Sequence, residues 1–122
     1  MTRFLTLEEL LDLCRDLHVG PVRDIGLLDA SAQRPQTTLL GADAYPTLEM
    51  KAAALVHSVV ANHPLGDGNE RLGWHALTVF LALNGRNVTL THDEAFDLTV
   101  AVAGGELREV GDIAARLRTE AR

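Results

Sequence analysis

The stretch from His63 to Arg71 concentrates the side chains of this chain that could carry out chemistry. His63 is the one side chain here that can accept a proton near neutral pH. Asp67 supplies a carboxylate oxygen of the kind that Mg²⁺ prefers. Arg71 offers paired N–H donors that fit a phosphate. A base, a metal ligand and a cation within one short segment indicate a site that transfers a phosphorus group to a hydroxyl.

The glycines of the same stretch predict an anion site made by the backbone. Residues 66–69 cannot easily continue a helix, whereas the sequence from Leu72 onward can, so the stretch is a loop that runs into the start of a helix. The N–H groups of Gly68, Asn69 and the next turn would then lack partners, and the helix dipole adds positive charge at that end. We therefore expect Gly68, Asn69 and Arg71 to bind phosphate.

The pair His63 and Asp67, taken alone, could be a solvated loop histidine and a helix-capping carboxylate. The neighbouring Gly68, Asn69 and Arg71 favour the functional interpretation. A zinc or calcium site fits poorly. The stretch lacks the i, i+4 histidine pair of helical zinc sites and the ligand run and closing glutamate of a calcium loop.

Two apolar segments are predicted to be the helices that hold the loop. Before it, apolar residues recur at helical spacing from Thr47, giving a helix that ends at His63; they are Leu48, Ala52, Leu55, Val56, Val59 and Val60. After it, residues 72–83 are apolar on nearly all sides, which indicates a central buried helix. That helix should stop at Asn84-Gly85.

The rest of the chain predicts four more helices around this pair. Capping boxes at Thr6 and Thr91 begin two of them, which end near Gly20-Pro21 and Gly104-Gly105. The other two helices are expected at residues 25–33 and from about residue 107 or 108. Residues 86–90 favour β structure but are too short for a sheet by themselves. Residues 36–46 are expected to form a loop that borders the pocket and contacts a target protein.

Several side chains away from the loop receive structural assignments. Arg34 is expected at the surface, capping the end of the second helix. His57 and Ser58 fall between apolar positions and are expected to be exposed. Trp74 is assigned to packing, with nucleotide stacking as the alternative. Cys14 is expected to be a buried core thiol.

Composition limits the class of protein. The 122 residues, 47% of them hydrophobic, predict a compact all-α bundle of about six helices forming a single domain over residues 1–122. A net charge of -6 and a pI near 5.2 argue against direct nucleic-acid binding as the main role. No segment resembles a membrane span or a signal core, so the expected compartment is the cytoplasm.

The loop resembles the signature of the Fic/Doc superfamily, which reads H-P-F-x-D/E-G-N-G-R-x-x-R. Matching positions are His63, Pro64, Asp67, Gly68, Asn69 and Arg71. Leu65 replaces the aromatic residue and would fill the same apolar slot under the loop. Trp74 stands where adenylylating Fic enzymes carry a second arginine. Doc (death-on-curing) proteins lack that arginine as well, so this departure favours the Doc branch. Segments from Gly26 to Glu106 resemble Doc sequences in order, so the resemblance covers nearly the whole chain.

The resemblance implies a specific activity. Doc toxins transfer the γ-phosphate of ATP to a threonine of elongation factor Tu, which stops translation, and a Phd-type antitoxin blocks the groove. By position, His63 would be the base on the target hydroxyl and Asp67 would hold Mg²⁺. Gly68, Asn69 and Arg71 would bind the phosphates of ATP.

Glu70 departs from this pattern, because its position is glycine in Fic and usually lysine in Doc. A carboxylate about 6 Å from a phosphate charge, at an effective dielectric of about 20, costs roughly 3 kcal/mol. Glu70 could be a surface residue that stabilises the first helical turn, could weaken the nucleotide site, or could serve as a further metal ligand. Two alternatives to phosphate transfer therefore stay open: transfer of AMP, which Gly68 in place of the alanine common in Doc favours mildly, and a weakened Doc scaffold that acts as a binding protein.

Overall fold

A computed structural model describes all 122 residues and contains six α-helices and two small sheets. The helices are α1 (Leu7–Leu17), α2 (Ile25–Gln33), α3 (Leu48–Asn62), α4 (Asn69–Leu83), α5 (His92–Ala103) and α6 (Val110–Arg116). The prediction of an all-α fold with about six helices is confirmed. None of these helices combines the length and the apolar character needed to cross a membrane.

The two predicted capping boxes set the starts of α1 and α5. The side chain of Thr6 accepts from the N–H of Glu9, whose carboxylate accepts from the N–H of Thr6. Thr91 and Glu94 make the same reciprocal pair at α5. α1 ends slightly before the predicted Gly20, because His18 takes the left-handed conformation that closes the helix.

Helices α3 and α4 form the centre of the bundle, and α3 also contacts α2, α5 and α6. Their close approach depends on Gly73. A Cβ at that position would lie 2.7 Å from a methyl group of Val60 on α3. The core around the pair is apolar, with Phe80 and Leu77 fully buried. α4 begins at Asn69, three residues before the apolar run, so the end of the predicted loop is already helical.

The region predicted to be a loop, residues 36–46, contains a small hairpin. Strands β1 (Thr38–Leu39) and β2 (Ala42–Asp43) pair antiparallel around a turn in which Leu40 and Gly41 have positive φ. Buried Lys51 on α3 anchors it by pairing with Asp43 at 3.0 Å and donating to the carbonyl of Tyr45. The hairpin side chains are exposed, so the segment shows no apolar period in the sequence.

The second sheet joins the middle of the chain to its C-terminal end. Strand β3 (Arg86–Val88) pairs antiparallel with β4 (Thr119–Ala121), with Asn87 opposite Glu120. The β preference of residues 86–90 agrees with this strand, but the sequence does not predict its partner. α6 also begins at Val110, later than the predicted residue 107 or 108.

Three surface assignments made from the sequence need correction: Ser58 and His57 are not exposed, and Arg34, although it is the C-cap residue of α2 as predicted, is partly buried and bonds to other side chains. Ser58 is buried and lies 3.2 Å from the hydroxyl of buried Ser31, while His57 is half-buried. Arg34 donates from Nε to the Tyr45 hydroxyl at 3.1 Å and from Nη1 to Nδ1 of His57 at 2.7 Å. Helix α2 and the 3₁₀ turn after it (Arg34–Gln36) cover this face of α3, which an apolar period does not reveal.

Cys14 is buried, as predicted, and belongs to the core. Burial raises the pKa of its thiol, and the nearby charge of Arg15 opposes this only partly. The thiol is therefore protonated at neutral pH and behaves as a small apolar side chain.

Candidate active site

His63 lies at the junction between α3 and the loop. It is the C-cap residue of α3 and has a left-handed backbone conformation with φ of 50°. This conformation turns the chain sharply away from the helix axis. The imidazole is exposed, so α3 presents His63 at its end, as the sequence predicts.

The linker between α1 and α2 supports the loop through main-chain hydrogen bonds. The N–H of Gly20 donates to the carbonyl of Asp67 at 3.2 Å, and the N–H of Gly66 donates to the carbonyl of Pro21 at 2.8 Å. The N–H of Arg23 donates to the carbonyl of Pro64 at 2.8 Å. The sequence shows Gly20-Pro21 only as the end of a helix, so it does not predict this supporting role.

Asn69 holds the loop from inside. Its Oδ1 accepts from the N–H of Leu65 at 3.0 Å, and its Nδ2 donates to the carbonyl of Leu65 at 3.1 Å. The same Nδ2 lies 3.2 Å from Nδ1 of His63. Asn69 is 6% exposed, and Leu65 fills the apolar slot beneath the loop, as predicted. The side chain of Asn69 is thus occupied, and only its backbone N–H is available to a phosphate.

The first turn of α4 presents unpaired backbone donors. Gly68 is the N-cap residue with φ of 87°, and it has no side chain that could satisfy the turn. The N–H groups of residues 68–71 donate to no other group of the chain. A Cβ at Gly68 would lie 2.4 Å from Cγ1 of Val19, so only glycine fits here without movement. These donors and the positive end of the helix dipole lie where the sequence predicts an anion site.

A cavity of about 550 Å³ opens beside this turn. Asp67, Glu70 and Arg71 line it and are exposed, and none of the three side chains makes a hydrogen bond or ion pair within the chain. The structure therefore brings Asp67, Gly68, Glu70 and Arg71 together. His63 does not line the cavity and is linked to α4 through Asn69.

Helix α5 forms the apolar wall of the cavity. Phe96 is 68% exposed and Val100 is 48% exposed, whereas Leu98 and Val102 face the core. Trp74 packs against the core, as predicted, and also borders the cavity. The apolar residues of α5 recur every two positions, so they cannot share one helix face. That spacing is the signal that could have identified Phe96 and Val100 as cavity residues.

The charges at the mouth of the cavity are mixed. Glu70 faces the same space as Asp67, so two carboxylates accompany the single guanidinium of Arg71. No group of three potential metal-ligating side chains is present. Any Mg²⁺ at Asp67 would therefore take most of its ligands from phosphate and water, which is the usual arrangement for Mg²⁺ with nucleotides.

Comparison with known proteins agrees with this fold and loop. A model of the Fic/DOC family matches residues 4–81, well over half of the chain, and the chain belongs to that family. The match contains the whole loop and nearly all of α4.

A particular relative extends the similarity to almost the full sequence. The chain is 44% identical over 121 residues to a protein named Toxin Doc from Mycolicibacterium smegmatis (strain ATCC 700084 / mc(2)155). The alignment covers 96% of this chain and 92% of that protein. The resemblance to the Doc branch that the loop indicates is thereby confirmed.

Proposed function

We propose that this protein is the toxin of a toxin–antitoxin pair and transfers the γ-phosphate of ATP to a serine or threonine hydroxyl of a translation factor. The observation that carries the proposal is the row of unpaired N–H groups at residues 68–71, next to the free side chains of Asp67 and Arg71. Membership of the Fic/DOC family and the relative named Toxin Doc support it. The toxin would act as a single domain, residues 1–122, in the cytoplasm.

Each residue of the site has a role in this proposal. Gly68 and Asn69 would bind phosphate oxygens through their backbone N–H groups, and Arg71 through its guanidinium. His63 would take the proton of the target hydroxyl. The residues fit a magnesium nucleotide, because the Asp67 carboxylate is exposed and free while the backbone of the turn beside it offers unpaired N–H donors. Bound Mg²⁺ would neutralise phosphate charge and help to orient the phosphates.

Glu70 would modulate this site. It lines the cavity, so its charge acts on a bound phosphate and is more than an outward-facing surface charge. A carboxylate in the first helical turn also stabilises α4 through the helix dipole. We infer that Glu70 keeps nucleotide affinity low, and that Mg²⁺ offsets part of this repulsion.

The proposed partners follow from the family and from the cavity. The target would be elongation factor Tu, by the family resemblance. A Phd-type antitoxin would block the cavity, whose exposed apolar residues Phe96 and Val100 are suited to a protein segment. Direct nucleic-acid binding forms no part of the proposal.

The test supplies pure protein with Mg²⁺ and a bacterial lysate, with α-labelled and γ-labelled ATP in parallel. We expect label on one protein band from the γ position only, and no label with the His63→Ala variant. Equilibrium ATP binding with and without Mg²⁺ tests the premise. Absence of binding at millimolar nucleotide would refute the proposal.

Two alternatives remain tied to specific observations. Label from the α position would indicate transfer of AMP, which the glycine at position 68 favours mildly. Absence of label from either position, with the protein folded, would favour a weakened scaffold that binds its partner without turnover. The position of Glu70 in the cavity is the observation that favours this second alternative.

A further inference from the structure

The orientation of the Asn69 side-chain amide is fixed by its neighbours. The N–H of Leu65 needs an acceptor and the carbonyl of Leu65 needs a donor, at 3.0 Å and 3.1 Å from the two ends of the amide. Turning the amide over would place donor against donor and acceptor against acceptor. The NH₂ group of Asn69 must therefore be the end that faces His63.

This orientation decides which nitrogen of His63 carries the ring proton. Asn69 has two amide hydrogens, of which one goes to Leu65 and the other points to Nδ1 of His63 at 3.2 Å. Nδ1 must accept this hydrogen bond, so the neutral ring has its lone pair at Nδ1 and its proton at Nε2. Nε2 has no partner in the chain, and the imidazole is exposed.

The geometry points to Asn69 as a positioning residue that holds His63 in the Nε2–H tautomer. In this state His63 presents a proton donor to a ligand, and its lone pair is occupied by Asn69. His63 thus cannot act as a base in its resting position. It becomes one only after the contact between Asn69 and Nδ1 opens.

The consequence for catalysis depends on the proposed phosphate transfer, whereas the tautomer itself does not. When a target hydroxyl is deprotonated, its O–H bond breaks and an Nδ1–H bond forms, while the oxygen keeps the electron pair that attacks phosphorus. The resulting imidazolium carries hydrogens on both nitrogens. Its Nδ1–H would oppose the NH₂ of Asn69, so the ring must turn away from α4 as it accepts the proton.

The decisive measurement is the ¹⁵N NMR spectrum of the imidazole nitrogens in the intact protein at neutral pH. The chain has five histidines, and the His63→Ala spectrum identifies the His63 signals by their disappearance. We expect a protonated Nε2 and a lone pair at Nδ1. A neutral ring with its proton on Nδ1 would overturn the inference, whatever activity the protein has.

A near-isosteric variant tests whether Asn69 is the cause. In Asn69→Asp the carboxylate can only accept, so the preferred tautomer should reverse to Nδ1–H. A ring that keeps the Nε2–H form in this variant would overturn the role of Asn69. Should the variant not fold, the His63→Ala protein gives a second readout. One Asn69 side-chain amide proton should then shift upfield for want of an acceptor, and an unchanged resonance would contradict the contact.

These outcomes are distinguishable from failure of the proposed function. Loss of labelling with the expected tautomer would leave the inference intact and refute phosphate transfer. Labelling from the γ position together with a neutral ring protonated at Nδ1 would support phosphate transfer and overturn the inference about the tautomer.

Discussion

The guanidinium of Arg34 donates to Nδ1 of His57 at 2.7 Å, so these two basic side chains share a hydrogen bond between α3 and the turn after α2. Tyr45 completes the cluster, since its hydroxyl accepts from Nε of Arg34 and the guanidinium lies 5.7 Å from the centre of its ring. Tyr45 lies just after β2, so the cluster connects α3 with the hairpin. The hydrogen bond requires a neutral His57.

Stability should fall on acidification because of this cluster. The pKa of His57 lies below its ordinary 6.5, mainly through burial and further through the charge of Arg34, while Glu109 opposes the shift. The unfolded chain then binds a proton more readily than the folded one. The contribution is complete above pH 6.5 and is lost as the pH falls through that value towards the lowered pKa. Urea denaturation between about pH 7.5 and about pH 5 should show the decline.

The matched variants for this prediction are His57→Gln and His75→Gln. His57→Gln should flatten the pH dependence, because glutamine does not titrate. His75 is exposed and its imidazole makes no hydrogen bond within the chain, so His75→Gln is the control for loss of a histidine outside the cluster. Equal slopes for wild type and His57→Gln would contradict the prediction.

Replacing Glu70 with lysine should increase the affinity for ATP. Repulsion of roughly 3 kcal/mol at an effective dielectric of about 20 corresponds to about a hundredfold in affinity. Glu70 is exposed, so an effective dielectric of about 40 is more suitable. At that value loss of the repulsion gives about tenfold, and the attraction of the lysine charge brings the total to about a hundredfold. Isothermal titration with Mg²⁺ and ATP measures the change. Glu120→Lys, an identical charge change at an exposed residue outside the cavity, is the control.

The Glu70→Lys variant also tests the alternative that the chain is a weakened Doc scaffold acting as a binding protein. If Glu70→Lys alters neither affinity nor activity while His63→Ala abolishes activity, then Glu70 does not limit turnover. The interpretation of the chain as a binding protein would then fail.

Gly68→Ala should destabilise the protein. Alanine in a left-handed conformation costs about 1 to 2 kcal/mol, and the contact of its Cβ with Val19 adds about 1 to 3 kcal/mol of overpacking. Gly85→Ala is the matched control, since Gly85 has φ of 80° but no atom near the added Cβ. Gly85→Ala should therefore show only the cost of the left-handed conformation. Similar losses in the free energy of unfolding for both variants would show that contact with Val19 is unimportant.

Phe96→Ala should weaken antitoxin binding without loss of stability. The ring is 68% exposed, so the fold gains little from it, whereas a partner segment in the cavity would cover it. Truncation of a buried aromatic contact at an interface costs about 2 kcal/mol or more, or about thirtyfold in affinity. Titration with the antitoxin measures this effect. Ile25→Ala, which removes an exposed apolar side chain outside the cavity, should bind as the wild type does.

The parts of the fold that could be predicted are those encoded by neighbouring residues. Thr6 with Glu9 and Thr91 with Glu94 specify helix starts within four residues, and the apolar periods specify α3 and α4. The pairing of β3 with β4 joins segments about thirty residues apart, and no local pattern shows it.

The candidate site likewise has features that the sequence predicts and features that it does not. The loop residues and their chemical types are readable from the sequence, because spacing along a short segment limits where they can lie. The sequence does not reveal that the side chain of Asn69 is occupied or that Phe96 forms an apolar wall, because both depend on what surrounds the residue in three dimensions.

The support of the loop by the linker has a further consequence. The bonds at Gly20, Pro21 and Arg23 all join peptide groups to peptide groups, so no side chain takes part in them, and only Gly20, with φ of 134°, requires a particular residue for its backbone conformation. Exposed Arg23 could be exchanged for most residues without loosening the loop. The side chain at position 23 is therefore free to diversify under selection while the loop that the linker supports keeps its shape.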